Sequence, residues 1–153
     1  MPEIDLTAQK AAVRNVLASS GIRPALALLN DRTEYRYTAI YKLSGDALRA
    51  EHVFDRASEY RTWLKAVPLD KSFCQHAIAQ GEFTTGHVSR DQSLVSYRPY
   101  VGLVESYYGR LLTRDCGAPY GTFIHFDLEP RSIDAQEVAF LQEVTPMFLD
   151  YLD

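Results

Sequence analysis

The chain has 153 residues, 46% of them hydrophobic and 24% charged, which is one ordinary soluble domain able to bury a core without metals or disulfides. Sixteen Lys and Arg against twenty Asp and Glu give a net charge of −4, so the basic footprint of a nucleic-acid binder is missing. Two cysteines, Cys74 and Cys116, are too few for a disulfide framework. No apolar run reaches the ~20 residues that span a bilayer, and no signal-peptide pattern opens the chain. These features together predict a reduced, cytoplasmic protein.

Taken in order, the chain opens with a helix over residues 1–20. Ala8, Ala11, Ala12, Val13, Val16 and Leu17 recur at helical spacing, and Gly21 stops it. Pro24 starts a second helix that buries Ala25, Leu26, Leu28 and Leu29 and ends near Asn30. A strand follows at Glu34–Tyr41, with Tyr35, Tyr37, Ala39 and Tyr41 on one face. Ser44-Gly45-Asp46 turns the chain. Leu48, Ala50, His52 and Phe54 then alternate with Arg49, Glu51, Val53 and Asp55, giving an antiparallel hairpin.

Tyr60, Trp63, Leu64 and Val67 have helical spacing until Pro68 cuts the segment. Ser72-Phe73-Cys74-Gln75 reads as a capping box opening a helix that Gly81 closes. Phe83–Val88 is a short strand candidate and Ser89–Arg98 a polar loop. Val101–Thr113 reads as a strand in which Gly109 marks a bulge or a close approach. Tyr120–Asp127 forms another strand. Ser132 is the expected N-cap of a terminal helix over 133–153, with Asp134 in its first turn and Pro146 kinking it. Hairpins flanked by helices indicate a single α+β domain over 1–153.

The terminal helix holds five acids and no base. Its apolar residues, from Val138 to Leu152, cover more than one stripe. One side suits the sheet, and the rest suits either the same domain or a helical dimer interface shared with the first helix.

The sequence contains no phosphate-binding loop, dinucleotide fingerprint, zinc-protease motif or serine-hydrolase elbow. Cys74 and His76 stand two apart on a helix, pointing ~200° from each other, which makes a poor chelate and a poor nucleophile–base pair. Cys74 reads as a small buried hydrophobe. Tyr97, Tyr100, Tyr107 and Tyr108 cluster around a loop and a strand, where rings with polar tips suit a ligand cavity or a core equally well.

Three patches in order carry a resemblance. Ser72-Phe73-Cys74-Gln75-His76-Ala77-Ile78, then Tyr107-x-Gly109-x-x-Leu112, then Tyr120-Gly121-Thr122 through Asp127 with Pro130-Arg131, together resemble the motifs of a bacterial subgroup of GAF domains, the small-molecule sensory modules of signalling proteins. The resemblance runs from about Ala25 to Leu152. It implies a central antiparallel sheet of about five to six strands, with terminal helices on one face and a ligand pocket on the other, under the Ser72 helix and flanking loops. It also implies a sensory domain that binds a small molecule in an aromatic-lined pocket and signals through its terminal helices. The apolar faces of the terminal helix, the lack of a bilayer-spanning run and the missing catalytic motifs add the expectations of a homodimer, no membrane insertion and no catalytic residues.

Trp63, Phe73, His76, Tyr107 and His125 are the pocket candidates. Of these, His76 and Tyr107 sit on motif positions and the others are chosen for their chemistry. Leu111 replaces the proline of the middle motif and His125 enters the third, so ligand and cofactor stay unassigned. Two alternatives are a thiol-based enzyme resembling free methionine sulfoxide reductase, for which Cys74 and Cys116 lack the subgroup's cysteine motif, and a ligand-free interaction module.

Overall fold

The computed structural model describes residues 6–57, 66–68, 73–90 and 104–152. Helices α1 (Leu6–Ser20) and α2 (Ile22–Asp31) lead into the hairpin of β1 (Tyr37–Ser44) and β2 (Ala47–Asp55). The short strand β3 (Ala66–Pro68), helix α3 (Cys74–Gln80) and strand β4 (Glu82–Thr85) follow. Strands β5 (Ser106–Thr113) and β6 (Pro119–Asp127) complete the sheet, and α4 (Ala135–Val144) runs on into a 3-10 helix, Thr145–Tyr151. The six strands are all antiparallel in the order β3-β2-β1-β6-β5-β4, so the chain is α+β as expected.

Alternation along the central strands divides two cores. On one face α1, α2, α4 and the 3-10 helix enclose Leu26, Leu29, Ile40, Tyr108, Phe123, Phe140 and Phe148. On the other, α3 packs against β4, β5 and β6 above Tyr37, Ala39, Tyr41, Tyr107, Ile124 and Phe126. The terminal helices on one face and α3 on the other are placed as the motifs imply.

Several local expectations change for identifiable reasons. Tyr35 precedes β1 and turns to the helix face, away from Tyr37, Ala39 and Tyr41. The even-numbered residues of β2 do not share a face, because Ile40 pairs with His52 and Tyr41 with Ala50, which leaves Glu51 as a bulge that inverts the alternation. Leu48 and Ala50 thus join the α3 face while Phe54 joins the helix face. Val67, read with a helical segment, lies in edge strand β3 opposite Leu48, where the missing donor of Pro68 is tolerated.

The N-cap of α4 is Asp134, not Ser132. Its carboxylate accepts the Glu137 amide at 2.8 Å, one residue before the helix begins at Ala135. Pro146 does end the α-helix, which tightens to 3-10 from Thr145. The apolar residues of this terminal segment pack inside the domain. Val138, Met147, Leu149 and Leu152 all lie against the helix-face core, and Tyr151 is the exposed large hydrophobic among the described residues.

Asp127 closes the end of β6. Its carboxylate accepts the amides of Arg36 and Glu129 at 2.9 and 3.0 Å and pairs with Arg131 Nε at 3.0 Å. The aspartate and arginine of the third motif are thus a structural clamp, with the aspartate 3% exposed. Asp127→Ala is expected to lower stability by about 2–3 kcal/mol, since two amides and a guanidinium lose their acceptor together. A urea midpoint within error of the wild type would show that water replaces the carboxylate without cost.

Candidate functional site

The α3 face gathers aromatic groups from three elements. Phe73 stands at the start of α3, and its ring centre lies 5.7 Å from that of Tyr107 on β5. His76, on the next turn, lies 4.6 Å from Phe83 of β4, and Phe83 lies 6.1 Å from Tyr107. Phe73, His76 and Tyr107, three of the five pocket candidates, therefore come together. Phe83 belongs with them. Its register opposite Gly109 sets it on the same face of the sheet as Tyr107.

The Tyr107 ring folds along its own strand over Gly109, and a Cβ there would sit 2.6 Å from ring carbons Cε1 and Cζ. This is a close approach rather than a bulge, and it explains the Tyr-x-Gly spacing. So placed, the Tyr107 hydroxyl donates to Cys74 Sγ at 3.1 Å, and the Thr122 hydroxyl donates to the same sulfur at 3.3 Å. Cys74 is buried at the start of α3. Burial pushes its thiol pKa up, with the two hydroxyl bonds acting in the opposite direction, so the sulfur is a neutral thiol at pH 7. Burial, then the neighbouring Cys74, raises the Tyr107 hydroxyl well above its usual range. Desolvation lowers the pKa of His76, so its imidazole is neutral as well. The cluster is built of aromatic rings and carries neutral hydrogen-bonding groups.

Gly109→Ala is expected to swing Tyr107 off the strand and free Cys74, at a cost of about 1–3 kcal/mol. In a Cys116→Ser background, where the exposed second thiol is removed, Cys74 should react faster with a disulfide reagent. An unchanged rate and midpoint would mean that Gly109 does not set the ring's position.

His125 does not join this cluster. Strand alternation places it with Phe123 on the helix face, where it stacks on Tyr35 with ring centres 5.4 Å apart and meets Phe123 edge-on at 5.1 Å. Its Nδ1 lies 2.6 Å from Thr38 Oγ1, which also accepts from Asn30 Nδ2 at 2.9 Å. Asn30 Oδ1 in turn accepts from Arg56 Nε at 3.0 Å. Desolvation, then the charge of Arg56, depresses the pKa of His125 to about 3. The residue is a neutral core histidine held by a hydroxyl. Tyr107 and Tyr108, grouped in the sequence, likewise separate to opposite faces, and Tyr108 donates to Glu82 at 2.7 Å. Trp63, Ser72, Tyr97 and Tyr100 lie outside the described residues.

Cys116 is exposed in the turn between β5 and β6, and both cysteines are free. Among the described residues no three His, Cys, Asp or Glu side chains gather as a metal-ligand set, and no helix is long and apolar enough to cross a membrane.

The sequence matches no family model and no curated protein. Solved structures do match. The free methionine-R-sulfoxide reductase from Neisseria meningitidis, solved with its substrate, is 15% identical with a TM-score of 0.73, over 95% of this chain and 87% of that one. A protein from Burkholderia vietnamiensis described as a GAF sensor is 12% identical with a TM-score of 0.74, over 95% of this chain and 92% of that one. The phycocyanobilin-bound GAF domain of a cyanobacterial phytochrome is 14% identical with a TM-score of 0.71, over 97% and 94%. Sensors and reductases share this architecture, and at such identities the likeness extends to architecture alone. With the six-stranded antiparallel sheet, its helix-clad back and α3 on its front, the chain has the fold of GAF domains.

Proposed function

We propose that the chain is a regulatory domain that binds a small molecule on the α3 face, against Phe73, His76, Phe83 and Tyr107. The observation that carries this reading is the convergence of those four rings from α3, β4 and β5 on the face that the terminal helices leave free. Neutral rings with a few hydrogen-bonding tips suit a small organic ligand. Solved GAF-fold relatives with bound phycocyanobilin or substrate support the assignment of ligand binding to this architecture.

Native mass spectrometry of the purified protein, with a thermal-shift screen against a metabolite panel, tests the proposal. A bound compound, or a compound that raises Tm in the wild type and not in Phe73→Ala, is the expected result. A ligand at a hundred times its Kd adds about 2.7 kcal/mol of stability, which moves Tm by several degrees. No retained compound and no shift across the panel would overturn it.

The reductase neighbours raise a second reading, in which Cys74 is a nucleophile. Thiolate chemistry needs an accessible sulfur of low pKa. Cys74 is buried beneath two hydroxyl donors with its pKa pushed up, and the other cysteine is exposed in a hairpin turn. We therefore favour binding over turnover. Methionine-sulfoxide-dependent thiol oxidation that disappears in Cys74→Ser would establish the enzyme instead. Pairing of two copies through the terminal helices is read by sedimentation at high concentration, and a monomer throughout would remove it.

A further inference from the structure

The three helices of the clad face meet at one side chain. Arg32 is the C-cap of α2. Its Nε donates to both carboxylate oxygens of Glu137 at 3.1 Å, and one Nη donates to the same carboxylate at 2.9 Å. The other Nη donates to Gln9 Oε1. The guanidinium carbon stands 3.8 Å from the centre of the Phe140 ring. Gln9 belongs to α1, while Glu137 and Phe140 belong to α4, so one planar fork joins all three helices. The Arg32 and Glu137 side chains are 26% and 12% exposed, which leaves the pair less screened than an ordinary surface bridge.

What the junction holds is unequal. Among its described side chains α1 buries Val13 and Leu17 and half-buries Val16, and it packs chiefly on α2, α4 and the 3-10 helix. A further polar tie, Lys10 to Glu143 at 3.1 Å, is solvent-exposed. Helix α2 buries Ile22, Ala25, Leu26, Leu29 and Asn30. It is also bonded to the sheet through Asn30 and Thr38, and the carbonyls of Asn30, near its C-terminus, and of Thr33, just beyond it, accept from Arg56 at 2.9 and 2.8 Å. An element with few buried apolar groups and an outlying position opens at lower free energy than the rest of its domain.

We propose that Arg32 is a latch between the two ends of the chain, and that α1 opens from the domain as a unit when the latch is broken. Helix α2, α4 and the sheet stay folded during this opening. The device makes the N-terminal helix responsive to whatever competes for Glu137 or screens it, and it operates whether or not the α3 face binds a ligand. The domain's movable part is then α1, with α2 the fixed base against which it closes.

Amide hydrogen exchange resolved by segment tests the proposal on the wild type, Arg32→Ala and Gln9→Ala. In the wild type the amides of α1 are expected to exchange ahead of those in β1 and β6. In Arg32→Ala they should exchange on the order of tenfold faster while β1 and β6 hold their protection. Gln9→Ala removes only the α1 arm at a half-exposed site. It should show a smaller acceleration confined to α1, and it decides the matter if Arg32→Ala fails to fold. Equal protection of α1, β1 and β6 in the wild type would overturn the proposal. So would an acceleration spread evenly over the chain, or none in α1 of the variants.

Discussion

Between pH 6.5 and pH 3 the protein is expected to lose about 4 kcal/mol of stability through His125 alone. In the fold this imidazole is desolvated and faces the charge of Arg56, which holds its pKa at about 3, against an unfolded value of 6.5. Over that window the unfolded chain takes up a proton and the folded one does not. The contribution is therefore complete above pH 6.5, falls as the pH drops towards 3, and is exhausted below it. Its slope is roughly tenfold in the folding equilibrium per pH unit. The control is His125→Gln, which keeps a hydrogen-bonding tip for Thr38 and does not titrate. Urea unfolding at intervals from pH 7.5 to 4.5, where few carboxylates have yet protonated, should give a curve flatter by one proton in the variant. Parallel curves for the two proteins would mean that His125 is charged in the fold.

Gly121→Ala should cost about 3 kcal/mol or more. Here β6 passes so close to β1 that a Cβ on Gly121 would overlap the Tyr41 carbonyl oxygen and come within 2.9 Å of Lys42 Cα. Both obstacles are backbone, since Gly121 lies opposite Lys42 in the last pair of the β1–β6 ladder and opposite Leu112 of β5. No side-chain rotation relieves such a clash, so β6 must move away from β1 and give up hydrogen bonds on both sides. The Gly121 of the third motif is therefore a packing requirement between the two central strands. Thermal unfolding reads the effect directly, and a Tm within a degree of the wild type would show that the strands separate at no cost. A loss of the same size confined to ligand affinity would mean that the site, and not the sheet, depends on this position.

The sequence alone was enough for the α+β class and for the order of elements apart from β3, and its motifs, through their resemblance to GAF domains, implied the two-faced sheet. Hydrophobic period and turn residues mark helices and strands within a few positions, and these depend on neighbours near in the chain. It also grouped Phe73, His76 and Tyr107, the last two by their motif positions and the first by its chemistry. Three further features required the tertiary structure. The bulge at Glu51 inverts the faces of β2, because a single unpaired residue changes the alternation beyond it. The hydroxyls that meet Cys74 come from residues 33 and 48 positions away, a distance over which no periodicity operates. His125 carries the right chemistry for a pocket and sits on the wrong side of the sheet, bonded to Thr38 from a strand 87 residues earlier. Local order follows from the chain's own spacing, whereas the identity of the groups that face one another is set by strand register and by which helix covers which face.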